Sequence, residues 1–123
     1  MAGLAHVLAL KRVYEEPSDD DGVRVLVDRL WPRGITKERA ALDLWLKEIA
    51  PSTPLRKEFG HMRERFEDFR QRYEAELDGN AAVETLLELA RGNKRVTLLY
   101  GARDPEANHA QVLRDYLLSR EGH

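Results

Sequence analysis

The chain reads as a single α/β domain over residues 1–123, with a mainly parallel, Rossmann-like sheet flanked by helices. Two observations carry that reading. Short β-branched and Leu runs at 23–27 and 96–100 each break into a polar cluster with Pro and Gly, as buried strands do. From about residue 80 onward, helix, strand and helix patterns alternate, which is the grammar of a parallel α/β sheet. If the two strands are parallel neighbours, both polar clusters face one crevice, because ligands in open α/β sheets bind beyond the carboxyl ends of the strands.

The elements follow in order. Residues 7–14 alternate loosely and predict a first strand, with a polar connection over 15–22 and a second strand over 23–28. Trp31-Pro32-Arg33-Gly34 suits a type I turn, with Pro in second place and Gly in fourth. Thr36 can cap a helix that buries Leu42, Trp45, Leu46 and Ile49, although Leu42, Leu44 and Leu46 also alternate as in a strand. Ser52 caps a short turn with Leu55 and Phe59 inward and Gly60 at its end. Met62, Phe66, Phe69, Tyr73 and Leu77 recur every three or four residues, the clearest amphipathic helix in the chain. Asn80 caps a further helix carrying Val83, Leu86, Leu87 and Ala90, which stops at Gly92. Residues 96–100 form an apolar and therefore central strand. A last helix is expected over about 105–119, with Val112, Leu113, Tyr116 and Leu117 inward.

Composition narrows the function. The absence of cysteine removes disulfides, thiolate metal sites and cysteine nucleophiles. A net charge of −2, with 34% charged residues of mixed sign, argues against a dedicated duplex-DNA binder. Residues 1–10 lack a basic leading segment and are interrupted by His6, so no signal peptide is expected. No apolar stretch approaches a membrane span, and a cytoplasmic location is the expectation. Asp19-Asp20-Asp21-Gly22 lacks the later ligands of a calcium loop and reads as a solvated turn. No metal site is expected, and the sequence names no cofactor.

The candidate site gathers at the two strand ends. Asp104-Pro105 reads as an N-cap followed by Pro at the first helical position, with Arg103 before it as a possible anion ligand or surface ion pair. His109 shares the inward stripe of the last helix and is a candidate acid/base, or a structural histidine bonded to a carbonyl. Asn108 and Tyr100 are candidates to orient a ligand, and Asp28 is a further candidate catalytic group. By strand alternation Asp28 and Arg29 point to opposite faces, so both enter one pocket only if the strand has already turned. Arg33 can add an anion contact, and Trp31 either stacks on a ligand or plugs the turn. His61, after Gly60, is explained by helix capping.

The run Arg24-Val25-Leu26-Val27-Asp28-Arg29-Leu30-Trp31-Pro32-Arg33-Gly34 resembles the YeaO-like branch of the bacterial domain of unknown function numbered 488. The likeness continues through Asp43-Leu44-Trp45-Leu46-Lys47-Glu48, Leu55-Arg56 and Phe59-Gly60-His61, and resumes at Ala102-Arg103-Asp104 and Asn108-His109-Ala110. The resemblance covers nearly the whole chain and implies a compact α/β domain, with no established activity to carry over. Longer relatives place two cysteines and an acid where this chain has Tyr100, Ala102 and Asn108, so the resemblance implies that thiol or metal chemistry there does not operate here.

Two functional readings follow. The first is a small enzyme acting on an anionic, phosphorylated or nucleotide-like substrate, with Arg29, Arg33 and Arg103 as anion ligands and His109 as acid/base. The second is a non-catalytic module that binds a metabolite or an acidic partner segment in the same crevice. A purely structural role, with Trp31 and Trp45 as core or interface anchors, is a third.

Overall fold

The computed structural model describes residues 3–121. Four strands, β1 (Leu8–Arg12), β2 (Val23–Leu26), β3 (Leu44–Trp45) and β4 (Val96–Tyr100), form one sheet in the order β1-β4-β2-β3, with every pairing parallel. The two strands singled out by their polar endings are therefore neighbours, with Val23 opposite Val96 and Leu26 opposite Leu99. Five α-helices are found among the described residues: α1 (Lys37–Ala40), α2 (Thr53–Phe59), α3 (Phe66–Asp78), α4 (Ala82–Gly92) and α5 (His109–Glu121). Among the described residues, no helix is long and apolar enough to cross a membrane.

Strand alternation divides the interior in two. Leu8, Val25, Val27, Val96, Leu98 and Tyr100 point to one face, where they meet buried residues of α2, α3, α4 and α5 in the main core. Val13, Leu26 and Leu99 point to the other and pack with Ala40, Trp31, Ile35, Leu42 and Trp45 in a smaller one. The four longer helices thus share one face, while residues 31–45 cover part of the opposite face.

Several elements depart from expectation. The helix expected after Thr36 ends within a turn, at Ala41 in the left-handed region (φ 48°). The Leu42-Leu44-Leu46 alternation prevails because the free edge of β2 offers backbone partners. Asp43 N–H donates to Arg24 O at 2.9 Å, Leu46 N–H donates to Leu26 O at 2.9 Å, and the Asp43 carboxylate accepts Arg24 N–H at 2.8 Å. The closed turn near Trp31 runs from Pro32 to Ile35, one residue later than expected. Its third residue, Gly34, has φ 79°, a type II requirement that type I does not meet. Met62 is exposed and lies before α3, which starts at Phe66 after a 3₁₀ turn at Arg63–Arg65.

The acidic turn is not solvated at its end. Asp21 is only 7% exposed and receives the Lys11 ammonium at 3.0 Å and the Arg24 guanidinium. Burial alone would raise its pKa; the Ser18 N–H, Lys11 and Arg24 outweigh that and hold it below the usual carboxylate value. Arg24 also donates to Ala40 O at 2.7 Å, tying α1 to the sheet. Gly22 follows with φ 64°, and a Cβ there would lie 2.2 Å from Arg95 O.

Candidate functional site

β2 ends at Leu26, so Asp28 and Arg29 lie beyond the pleat and no longer alternate. Both line a crevice of about 390 Å³ at the carboxyl ends of β2 and β4, together with Trp31, Arg33, Arg56, His61 and His109. That volume falls within the range of about 300–1,000 Å³ usual for small-ligand sites.

The floor is built by bonds between strand ends. Gly101 N–H donates to Asp28 Oδ2 at 2.9 Å, joining the residue after β4 to the loop after β2. A Cβ at Gly101 would sit 3.0 Å from that oxygen, so the close approach depends on glycine. Arg12 Nε donates to Ala102 O at 2.9 Å and holds the same loop from β1. His109, the first residue of α5, places Nε2 at 3.1 Å from Val27 O and 3.1 Å from Asp28 Oδ1. Only the contact with Val27 O has hydrogen-bond geometry, leaving Asp28 Oδ1 buried without a hydrogen-bond partner.

The walls are cationic and apolar. Arg29 leans on two carbonyls, donating to Ala50 O at 3.1 Å and Pro51 O at 3.3 Å. Trp31 donates Nε1–H to Ile35 O at 2.6 Å and meets the Trp45 ring edge-on at 5.3 Å. It is therefore both a structural plug and part of the crevice lining. Tyr14 joins the rim and donates its hydroxyl to Arg33 O at 2.9 Å. Leu30 is 60% exposed beside them.

Arg56 and His61 also line the crevice, although neither was expected at the site. Arg56 sits on α2 next to inward-facing Leu55, and Ser52, bonded to Glu76 through N–H at 2.9 Å and Oγ at 2.6 Å, anchors that helix. Among the described residues the Arg56 guanidinium has no hydrogen bond or ion pair, and its Nε is buried. His61 does not cap a helix. It follows the capping Gly60 in the left-handed region itself (φ 60°), an uncommon place for a residue with a Cβ. Strain of that kind costs of order 1–3 kcal/mol and clusters at ligand sites. The Leu55-Arg56 and Phe59-Gly60-His61 strings carried the only signal in the sequence for either residue.

Other expected site residues lie apart from this crevice. Tyr100 is 3% exposed in the main core, and burial first, then the Glu15 charge, raises its phenol pKa. Asn108 is fully buried; its Nδ2 donates to Asp104 O at 2.6 Å and its Oδ1 accepts Gln111 N–H at 2.9 Å, so it caps α5. That corrects the expected helix start near 105. Asp104 caps only a local turn, accepting Glu106 N–H at 2.9 Å and Ala107 N–H at 3.0 Å, while Arg63 clasps it at 2.8 and 3.0 Å. Arg103 and Asp104 line an adjoining hollow that shares His61, Gly101 and Ala102 with the crevice. Among the described residues, no three His, Asp or Glu side chains come together as metal ligands.

Comparison of the sequence with known proteins finds relatives over most of the chain. The family described as "Inactive DUF488-N3 subclade" matches residues 7–122. The chain belongs to that family. The uncharacterised protein YeaO of Escherichia coli (strain K12) is 48% identical over 109 residues, 89% of this chain and 95% of that protein. Uncharacterised proteins of Mycobacterium tuberculosis (strain ATCC 25618 / H37Rv) and Mycobacterium bovis are each 44% identical over 109 residues, 89% of this chain and 92% of theirs. No solved structure matches it significantly.

Proposed function

We propose that this chain is a binding protein for a small anion, held in the crevice beyond β2 and β4 and released unchanged. The observation that carries the reading is Arg56, a guanidinium without a partner among the described residues, whose buried Nε belongs to a crevice-lining side chain. Its other guanidinium nitrogens are not buried and make no hydrogen bond among the described residues, so they are open to an anion, while the unpaired Nε costs about 1–3 kcal/mol. Arg29, Arg33, His61 and His109 surround the same space, against a single carboxylate among the described residues, Asp28. Guanidinium groups suit this work because their forked donors match carboxylate and phosphate oxygens.

Binding without turnover accords with the family's description as inactive and with the absence of any cysteine. Tyr100 and Asn108, the positions where the resemblance implies cysteines in longer relatives, lie outside the crevice lining. The close pair of Asp28 and His109 favours a second reading, acid/base catalysis on a phosphate ester.

The deciding experiment is thermal unfolding with and without inorganic phosphate, on the native chain and on Arg56→Met. Phosphate at a hundredfold its Kd is expected to stabilise the native chain by about 2.7 kcal/mol. The variant should lose most of that shift. No shift in the native chain, or an equal one in the variant, overturns the anion reading. Phosphate release from esters that vanishes in His109→Ala replaces binding with catalysis.

A further inference from the structure

Arg56 is not the only unmet group in the crevice. Its buried Nε lacks an acceptor, and buried Asp28 Oδ1 lacks a hydrogen-bond donor, though His109 Nε2 lies 3.1 Å away with its bond directed at Val27 O. Buried polar atoms in folded proteins are almost all paired, and here two open ones of opposite kind sit on side chains of one crevice, where a small rotation would bring each within reach of a ligand. That ligand must offer an acceptor to Arg56 and a hydroxyl or N–H to Asp28. A bare dianion satisfies the first and is repelled by the second.

The rim adds a third demand. Of the three exposed large hydrophobic residues among those described, Tyr14 and Leu30 line the crevice, and Met62 adjoins crevice-lining His61. Trp31 lies beside Leu30 in the same wall. An anion alone uses none of this surface, whereas a flat apolar group stacks on aromatic rings with about 1–3 kcal/mol per base in nucleic-acid sites.

We infer that the ligand is a nucleoside monophosphate: Arg56 takes the phosphate, Asp28 Oδ1 takes a ribose hydroxyl after a small side-chain rotation, and Trp31, Tyr14 and Leu30 receive the base. Arg29 and Arg33 add charge around the phosphate. The inference rests on the proposed anion site and specifies what the anion is attached to.

The test measures Kd by calorimetry for four probes: inorganic phosphate, ribose 5-phosphate, phenyl phosphate and adenosine 5′-monophosphate. Ribose 5-phosphate carries the donor without the ring, and phenyl phosphate carries the ring without the donor. The monophosphate is expected to bind at least tenfold more tightly than any of the other three. Leu30→Asn, at an exposed position, should lower its affinity threefold or more and leave ribose 5-phosphate unchanged. Asp28→Asn keeps an acceptor for Gly101 N–H but removes the charge. It should tighten inorganic phosphate and abolish the preference for ribose 5-phosphate over phosphate, a change of ratio that misfolding cannot produce. Phosphate binding with no gain from ribose or base overturns the ligand class and leaves the anion site standing. No binding by any of the four overturns both.

Discussion

The carboxylate of Asp28 and the backbone amide of Gly101 are bonded at 2.9 Å, and a Cβ on Gly101 would lie 3.0 Å from the same oxygen. One contact thus joins the two chain segments that follow neighbouring parallel strands. Gly101→Ala forces the carboxylate or the loop to give by a few tenths of an ångström. We expect a loss of about 1 kcal/mol, an overpacking cost at the low end of its range. Differential scanning calorimetry should read this as a fall in Tm of about 4 °C. Phosphate affinity should change as well, because Asp28 lines the crevice.

Arg56→Met should separate stability from binding. Replacing a buried donor that has no partner by an apolar side chain of similar length removes a desolvation cost. The variant is expected to gain about 1 kcal/mol in urea unfolding while its affinity for phosphate falls about tenfold, the scale of one charge-assisted hydrogen bond. A variant that is both less stable and unchanged in binding contradicts the role assigned to this residue.

Gly22→Ala should be among the most damaging single changes in the chain. The backbone there holds φ 64°, and the added carbon would lie 2.2 Å from Arg95 O. Arg95 O also accepts Val23 N–H at 3.0 Å, so it cannot retreat without loosening the start of β2. A loss above about 3 kcal/mol is expected, from clash and unfavourable dihedral together. The midpoint of urea unfolding measures it.

Asp104 should mark the acid limb of stability. The backbone amides of Ala107 and Glu106, and then Arg63, lower its pKa from 3.8 to about 2. The folded state therefore favours the ionised form, and the group contributes stability above about pH 4 that is lost as the pH falls towards 2. Urea midpoints followed from pH 5 to pH 2 should fall less steeply in Asp104→Asn than in the native chain. Parallel curves for the two proteins would refute the assignment.

Much of this architecture was legible in residue patterns, for identifiable reasons. The runs at 23–27 and 96–100 are apolar enough to demand burial on both faces, which places them in a sheet interior. The stripe from Phe66 to Leu77 has a helical period and little competing pattern. Around Leu42 to Leu46 the two periods coincide, and only the free edge of β2 decides between them. Asp104-Pro105 carries a local cap signature, yet Asn108 begins the helix because both atoms of its amide find partners there. Local sequence offered two competing caps with nothing to rank them.

The candidate site divides in the same way. Asp28, Arg29, Trp31, Arg33 and His109 reach one crevice because the strand ends that carry them are neighbours. Arg56 and His61 belong to a helix and its exit turn, far from both strands in sequence. Their place depends on how α2 packs, and that depends on long-range contacts such as Ser52 with Glu76. No motif grammar encodes such contacts.

The stretch from residue 29 to residue 45 serves two masters. Its Trp31 lines the crevice and, with Ile35, Leu42 and Trp45, seals the smaller core on the sheet face opposite the four longer helices. In a randomised library, changes here would be filtered first by how much folded protein survives in the cell and only afterwards by what it recognises. New specificities are therefore to be sought at Leu30 and Arg33, whose side chains are exposed and belong to neither core. Trp31, at the heart of the wall, is the position least free to explore.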